Sequence, residues 1–207
     1  MRLRPPILVE KPAGLPVSLD DVRAATRVSV DDVPEARLQS LVEAATAGFD
    51  GRTGQLGRAL IHQVWRRDFT PIRGLMRLPF PDVVEASAVW IDAAGQEQPA
   101  TVFLDEDVIS PFVQLVGGWR SGAGVMLRVT FKAGYGAEPD DVPAPIREAI
   151  IKRVGQLLLE ESEDGQLRSF AVDGAFTESY NSPEQRAAEV ERSIARLVKS
   201  YRRGNVL

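Results

Sequence analysis

The spacing of apolar residues changes twice along the chain, and this change constrains the fold more than any other feature of the sequence. In 32–49, 143–161 and 182–201, apolar side chains recur every three to four residues, which is the spacing of one helix face. Between 61 and 136 the spacing falls to two, most clearly at 125–132 (Val-Met-Leu-Arg-Val-Thr-Phe-Lys). The sequence therefore predicts helices on both sides of a run of antiparallel strands.

Helix-start signals divide the helical parts further. Ser18 stands three residues before Asp21, which resembles a capping box, and 19–25 then carries a short apolar stripe. A proline stands in the first turn of each later helix, where its fixed φ is tolerated. The predicted starts are Ser18, Asp32, Pro143 and Ser182.

These boundaries give three predicted units. Residues 1–17 contain four prolines and are expected to form an extended N-terminal arm. Residues 18–60 and 143–204 form the predicted helical domain, and 61–136 form an inserted antiparallel β subdomain. The predicted fold class is α+β, a mainly α-helical bundle with an inserted small antiparallel β subdomain. Residues 165–181 have no clear period and are predicted to be a loop.

The composition excludes several classes of function. The chain has no cysteine and one histidine, so disulfides, thiol catalysis and thiolate metal sites are excluded, and no cofactor or metal is predicted. A formal charge of −4 argues against tight binding of a nucleic-acid backbone, which needs clustered Lys and Arg. No segment has the roughly 20 apolar residues of a membrane span, and the apolar run 7–9 is too short for a signal peptide. We expect a protein that is made in the cytoplasm and does not cross a membrane.

Two acidic clusters are candidates for carboxylate chemistry or for binding a hard cation. The cluster at 105–107 lacks the glycine turn and terminal glutamate of a calcium loop. The cluster at 160–164 has the composition of a solvated helix end. Solvated charge is therefore the favoured interpretation of both, and His62, which has no second ligand beside it in the sequence, is expected to be structural.

Aromatic side chains in strands usually build a core or a subunit contact, and stacking on nucleic-acid bases is the less favoured alternative. Trp119 lies among glycines in an apparent loop and is the best candidate for an exposed contact. The predicted subunit-contact residues are Trp119 and Phe112.

Three stretches of the chain, taken in order, resemble one protein family. They are 18–65, which begins Ser-Leu-Asp-Asp-Val and ends Ala-Leu-Ile-His-Gln-Val-Trp; 78–83 (Leu-Pro-Phe-Pro-Asp-Val); and 129–150, with Val-Thr-Phe-Lys-Ala-Gly-Tyr-Gly followed by Val-Pro-Ala-Pro-Ile-Arg-Glu-Ala-Ile. The order of these stretches resembles the head-tail connector (adaptor) proteins of long-tailed phages and gene transfer agents, in the variant whose helices are interrupted by a β insertion.

The resemblance implies a virion structural protein and no enzyme. Such connectors form a closed ring, normally twelvefold, beneath the portal protein, and join the capsid vertex to a stopper or other neck or tail protein. DNA passes through the ring without sequence-specific binding. The expected location is the host cytoplasm during assembly and the virion neck, the head-tail junction, in the particle.

The last predicted helix is locally basic, with six Lys and Arg against three Glu. The resemblance suggests that this C-terminal segment docks on the portal, whereas the alternative is that its cations face water and complement the helix dipole. The portal-contact candidates are Arg196, Lys199, Tyr201, Arg202 and Arg203.

Other functions remain open from the sequence. The chain could be another neck or tail-completion protein. It could also be a small hydrolase, if the clustered carboxylates converge in one partly desolvated pocket. A DNA-binding module is a further alternative, which would show salt-dependent binding to duplex DNA.

Overall fold

A computed structural model describes residues 4–72, 74–105, 110–118, 124–161, 171–172, 176–177 and 183–203. The helices in these ranges are α1 (Leu19–Thr26), α2 (Glu35–Ala47), α3 (Ala144–Glu161) and α4 (Pro183–Val198), with short 3-10 helices at Pro139–Asp141 and Lys199–Tyr201. The strands are β1 (Ile7–Glu10), β2 (Gln63–Phe69), β3 (Leu75–Arg77), β4 (Val83–Ile91), β5 (Glu97–Ala100), β6 (Val102–Asp105), β7 (Phe112–Leu115), β8 (Met126–Ala133), β9 (Ala171–Val172) and β10 (Phe176–Thr177).

Two antiparallel sheets dominate the middle of the chain. The larger has five strands in the order β1-β2-β8-β4-β5, and the smaller has three in the order β3-β7-β6. β8 is the central strand of the larger sheet and pairs with β2 on one side and β4 on the other. Its burial alternates along its whole length, because Leu127, Val129, Phe131 and Ala133 face the core.

The prediction of a mainly helical bundle with a small β subdomain is wrong. The fold is α+β with a five-stranded and a three-stranded antiparallel sheet, and these sheets are as substantial as the helices. The physical reason is that the inner faces of the strands bury a core of their own, which includes Trp65, Phe80 and Phe131. Residues 7–10 of the predicted arm also join this structure as β1, which pairs antiparallel with β2. The proposed division into three units stays a prediction.

The helices bury a second core. The predicted stripe of α2 is confirmed, since Leu38, Leu41, Val42 and Ala45 are all buried. It packs with Ile146, Ala149, Ile150 and Val154 of α3 and with Ile194 and Val198 of α4. α3 contacts all three of the other helices.

Two of the predicted helix starts can be compared in detail. The Ser18 cap is confirmed, because its Oγ accepts a hydrogen bond from the Asp21 N–H at 3.0 Å. α2 begins at Glu35 and not at Asp32. The Asp32 carboxylate instead accepts hydrogen bonds from the N–H and the hydroxyl of Ser29, which form a turn before the helix. The predicted cap Ser182 and most of the predicted loop 165–181 lie outside the described residues.

The segment between α2 and β2 joins the two cores. Leu56, Leu60 and Ile61 are buried in the helical core, whereas Ala59 is buried in the core of the sheets. Asp50 fixes this segment: its carboxylate accepts hydrogen bonds from the Leu60 N–H at 2.8 Å and from Nε2 of buried Gln63 at 3.0 Å. Burial raises the pKa of Asp50, and these hydrogen bonds offset part of that shift.

We expect Asp50→Asn to gain stability relative to the wild type as the pH rises above about 4. A carboxyl whose pKa is raised by folding keeps its proton to higher pH in the folded state than in the unfolded chain, so wild-type stability falls through that window. Urea unfolding of both proteins between pH 4 and pH 8 measures the difference. If the stability of Asp50→Asn relative to the wild type stays constant or falls as the pH rises, the pKa of Asp50 is not raised by folding. Asp50→Ala, which removes the acceptors, should lose about 1–3 kcal/mol throughout.

Candidate interaction surface at the C-terminal helix

α4 is strongly two-sided. Ile194 and Val198 are buried against the helical core, and Val190 and Leu197 are partly buried beside them. The opposite face is exposed and carries Arg192 and Arg196. α4 is therefore an amphipathic helix that presents these cations away from the helical core.

An ion pair holds α4 in place on α3. Both terminal nitrogens of Arg153 donate to the carboxylate of Glu191, one of them at 2.9 Å. The Arg153 side chain is 22% exposed, so this bidentate pair is partly shielded from water. The outward cations are thus fixed relative to α3.

The residues after α4 are tied to the segment between the two cores. The Tyr201 carbonyl accepts a hydrogen bond from Arg58 Nε at 2.8 Å, and the Arg203 N–H donates to the Leu56 carbonyl at 2.9 Å. Arg58 also forms an ion pair through Nη1 with the Asp82 carboxylate at 2.6 Å. One guanidinium therefore connects the end of the helical layer to the start of β4.

The five portal-contact candidates do not share one environment. Arg196, Lys199 and Arg202 are exposed, whereas Tyr201 and Arg203 are half-buried and engaged with the segment 56–58. Burial lowers the pKa of Arg203, and the nearby charge of Arg58 lowers it further. The structure thus separates three outward cations from two residues that anchor the chain; whether any of them contacts a portal stays a prediction.

Arg196 also lines a groove of about 800 Å³ between α1, α3 and α4. Its lining includes the apolar residues Val28, Ile151 and Leu159 and the charged residues Glu148 and Lys152. Neither Glu160 nor Glu161 lines it.

Only one of the two subunit-contact candidates lies within the described residues. Phe112 is half-buried at the start of β7, where it pairs with Arg77 and Asp105. Trp119 lies outside the described residues. Their role as contacts stays a prediction.

The acidic clusters are only partly described. Glu161 forms an ion pair with Arg37 of α2, and Glu160 accepts a hydrogen bond from the Gln156 side chain at 3.2 Å. Over the described ranges there is no group of three or more His, Asp or Glu side chains that could hold a metal ion. In the same part of the chain, no helix is both long and apolar enough to cross a membrane.

Sequence reasoning missed Arg58, which is the most connected side chain of this surface. Its partners lie 24 and 143 residues away, at Asp82 and Tyr201. No local pattern marks such a residue. The only signal was its position in the Gly-Arg-Ala-Leu-Ile run that carries part of the family resemblance.

The chain was also compared with known proteins. No protein-family model and no curated protein matches it. Among the solved structures that match, three are described here, and each matches over nearly the whole chain. A chain from the neck of an empty gene transfer agent particle, computed with C6 symmetry, is 23% identical with a TM-score of 0.71, covering 99% of this chain and 98% of that chain. A chain from the virion of a native gene transfer agent particle is 22% identical with a TM-score of 0.69, covering 98% and 97%. A chain from the neck of a native particle, computed with C12 symmetry, is 24% identical with a TM-score of 0.63, covering 97% of each. At these identities the likeness establishes the fold.

We expect Arg58→Ala to lower the free energy of unfolding by about 2 kcal/mol or more, because it leaves the Asp82 carboxylate and the Tyr201 carbonyl without their shared donor. The Arg58 and Asp82 side chains are only 18% and 22% exposed, so water replaces this donor poorly. Arg37→Ala is the matched control. Its ion pair with Glu161 is 53% and 43% exposed, and its loss should cost about 0–1 kcal/mol. Equal losses in chemical denaturation would show that Arg58 is not a structural connection.

Proposed function

We propose that this protein is a structural head-tail connector (adaptor) subunit, which forms a ring beneath the portal protein and joins the capsid vertex to the neck and tail. The observation that carries the proposal is the near-complete two-way coverage, 97% or more of each chain, with chains from gene transfer agent necks. A protein that shares its fold with neck chains over nearly the whole compared length of both fits the same structural class. The proposed location is the neck of the particle.

A ring subunit needs two different faces that recur on every copy. The helical layer supplies such a pair. Around α1 and α2 it exposes Asp20, Asp21, Asp31, Asp32 and Glu35, and at α4 it exposes Arg192, Arg196, Lys199 and Arg202. The acidic set and the basic set lie on different helices, which α3 contacts in common. That arrangement suits head-to-tail contacts around an axis, normally a twelvefold one in such connectors.

The outward cations Arg196, Lys199 and Arg202 are our proposed portal contacts. Tyr201 and Arg203 support them by anchoring the turn after α4. Trp119 and Phe112 stay proposed subunit contacts. A stopper or other neck protein is the proposed partner on the opposite side of the ring.

The proposed role is not enzymatic, and DNA is proposed to pass through the ring without being held. A formal charge of −4 fits transit, because a strongly basic bore would bind phosphates and slow the strand. The alternative within the same class is another neck or tail-completion protein. The names of the matching structures do not distinguish this alternative from the connector, because they specify the neck or the virion and no particular component.

Reversing the charge of the outward cations tests the portal contact. Lys199→Glu combined with Arg202→Glu should reduce retention of the protein on purified portal assemblies roughly tenfold, because attraction becomes repulsion at an exposed contact. A pull-down quantified against wild type gives the measurement.

The matched control is Lys11→Glu combined with Arg186→Glu, the same charge change on exposed residues to which no contact is assigned. This variant should be retained like the wild type. If the Lys199 and Arg202 variant is retained equally well, the C-terminal end does not contact the portal.

A further inference from the structure

Two guanidinium groups donate to backbone carbonyls of adjacent residues where the C-terminal end meets the sheets. Arg67 Nη1 donates to the Arg77 carbonyl at 3.1 Å, and Arg203 Nη2 donates to the next carbonyl, that of Leu78, at 3.5 Å. The two carbonyls belong to adjacent residues, so the two cations lie in the same part of the structure although they are far apart in the sequence.

Two more arginines complete the group. Arg58 is tied to the same C-terminal turn through the Tyr201 carbonyl. Arg52 is exposed on the loop that follows α2, close enough for its charge to act on Arg67. We refer to Arg52, Arg58, Arg67 and Arg203 as the arginine cluster.

The arginine cluster is not neutralised within the described residues. Asp82 pairs with Arg58, but neither Arg67 nor Arg203 forms an ion pair in that part of the chain. Arg67 Nε is also buried and lacks a hydrogen-bond partner there. Burial lowers the pKa of Arg67, and the charges of Arg52 and Arg203 lower it further, which reports the mutual repulsion of these groups.

Half-buried cations held together without counterions oppose folding, and an oxyanion that accepted their free N–H groups would relieve the repulsion. Guanidinium groups bind carboxylates and phosphates in a planar, two-pronged geometry. The arginine cluster has the donors for such a ligand.

We propose that the arginine cluster is a binding site for an acidic segment of a partner protein. The cluster continues into exposed Arg202 and Lys199, so the cationic surface suits a peptide with several successive carboxylates. A DNA backbone is the less favoured occupant, because the chain is acidic overall and the half-buried Arg67 and Arg203 offer their donors at one point and not along a row of phosphates. The inference that this partner is a neck protein rests on the proposed function.

Fluorescence anisotropy of a labelled hexaglutamate peptide, titrated with the full-length chain at low ionic strength, tests the site. We expect saturable binding that Arg67→Gln and Arg203→Gln each weaken about tenfold. Arg52→Gln removes an exposed side chain that folding does not require, and it should weaken binding about threefold. Arg37→Gln carries the same charge change on α2, outside the cluster, and should bind like the wild type.

Equal binding by all variants, or no binding, would overturn the proposal. Tighter binding of a 12-base-pair DNA duplex, lost in the same cluster variants, would also overturn it and would assign the site to nucleic acid. The titration uses the isolated chain and needs no ring. If the chain binds the peptide but forms no complex with the portal, the connector assignment fails and the binding site stands. If the chain joins the portal but does not bind the peptide, the proposed binding site fails and the connector assignment stands.

Discussion

The Arg58 guanidinium joins the helical layer to the sheets. Arg58 donates to the Tyr201 carbonyl, pairs with Asp82 and lies 6.0 Å from the centre of the Tyr135 ring, so it joins the end of α4, the start of β4 and the end of β8. A protein with two separate hydrophobic cores needs such a connection, because apolar packing within each core does not fix one core relative to the other. Through it, the turn after α4 is held against the sheets.

The backbone reinforces the same junction. The Tyr135 N–H donates to the Leu60 carbonyl at 3.0 Å, and the His62 N–H donates to the Gly136 carbonyl at 2.7 Å. Gly134 makes this approach possible: its φ is +140°, and a Cβ there would lie 2.6 Å from the Ile61 carbonyl oxygen. A rigid junction suits a ring subunit, since each copy must present its two faces at a constant angle for the ring to close.

Long periodic segments could be predicted from the sequence and short ones could not. β8 spans Met126–Ala133, close to the range 125–132 that the alternation predicts, and the buried stripes of α2 and α3 are confirmed. The smaller sheet was underestimated because β3, β6 and β7 have only three or four residues, too few to establish a period. The outward charges of α4 follow from its helical spacing. The anchoring of Tyr201 and Arg203 does not, because their partners lie more than 100 residues away.

The central claim is that this chain makes repeated contacts around an axis at a portal vertex. Cryo-electron microscopy of the chain co-expressed with the portal protein of the same particle tests it most directly. The account predicts a closed ring of this α+β fold on one end of the portal, with the turn after α4 facing the portal subunits. The account would be contradicted if the portal rings carry no bound copies of this chain even when the chain is present in large excess.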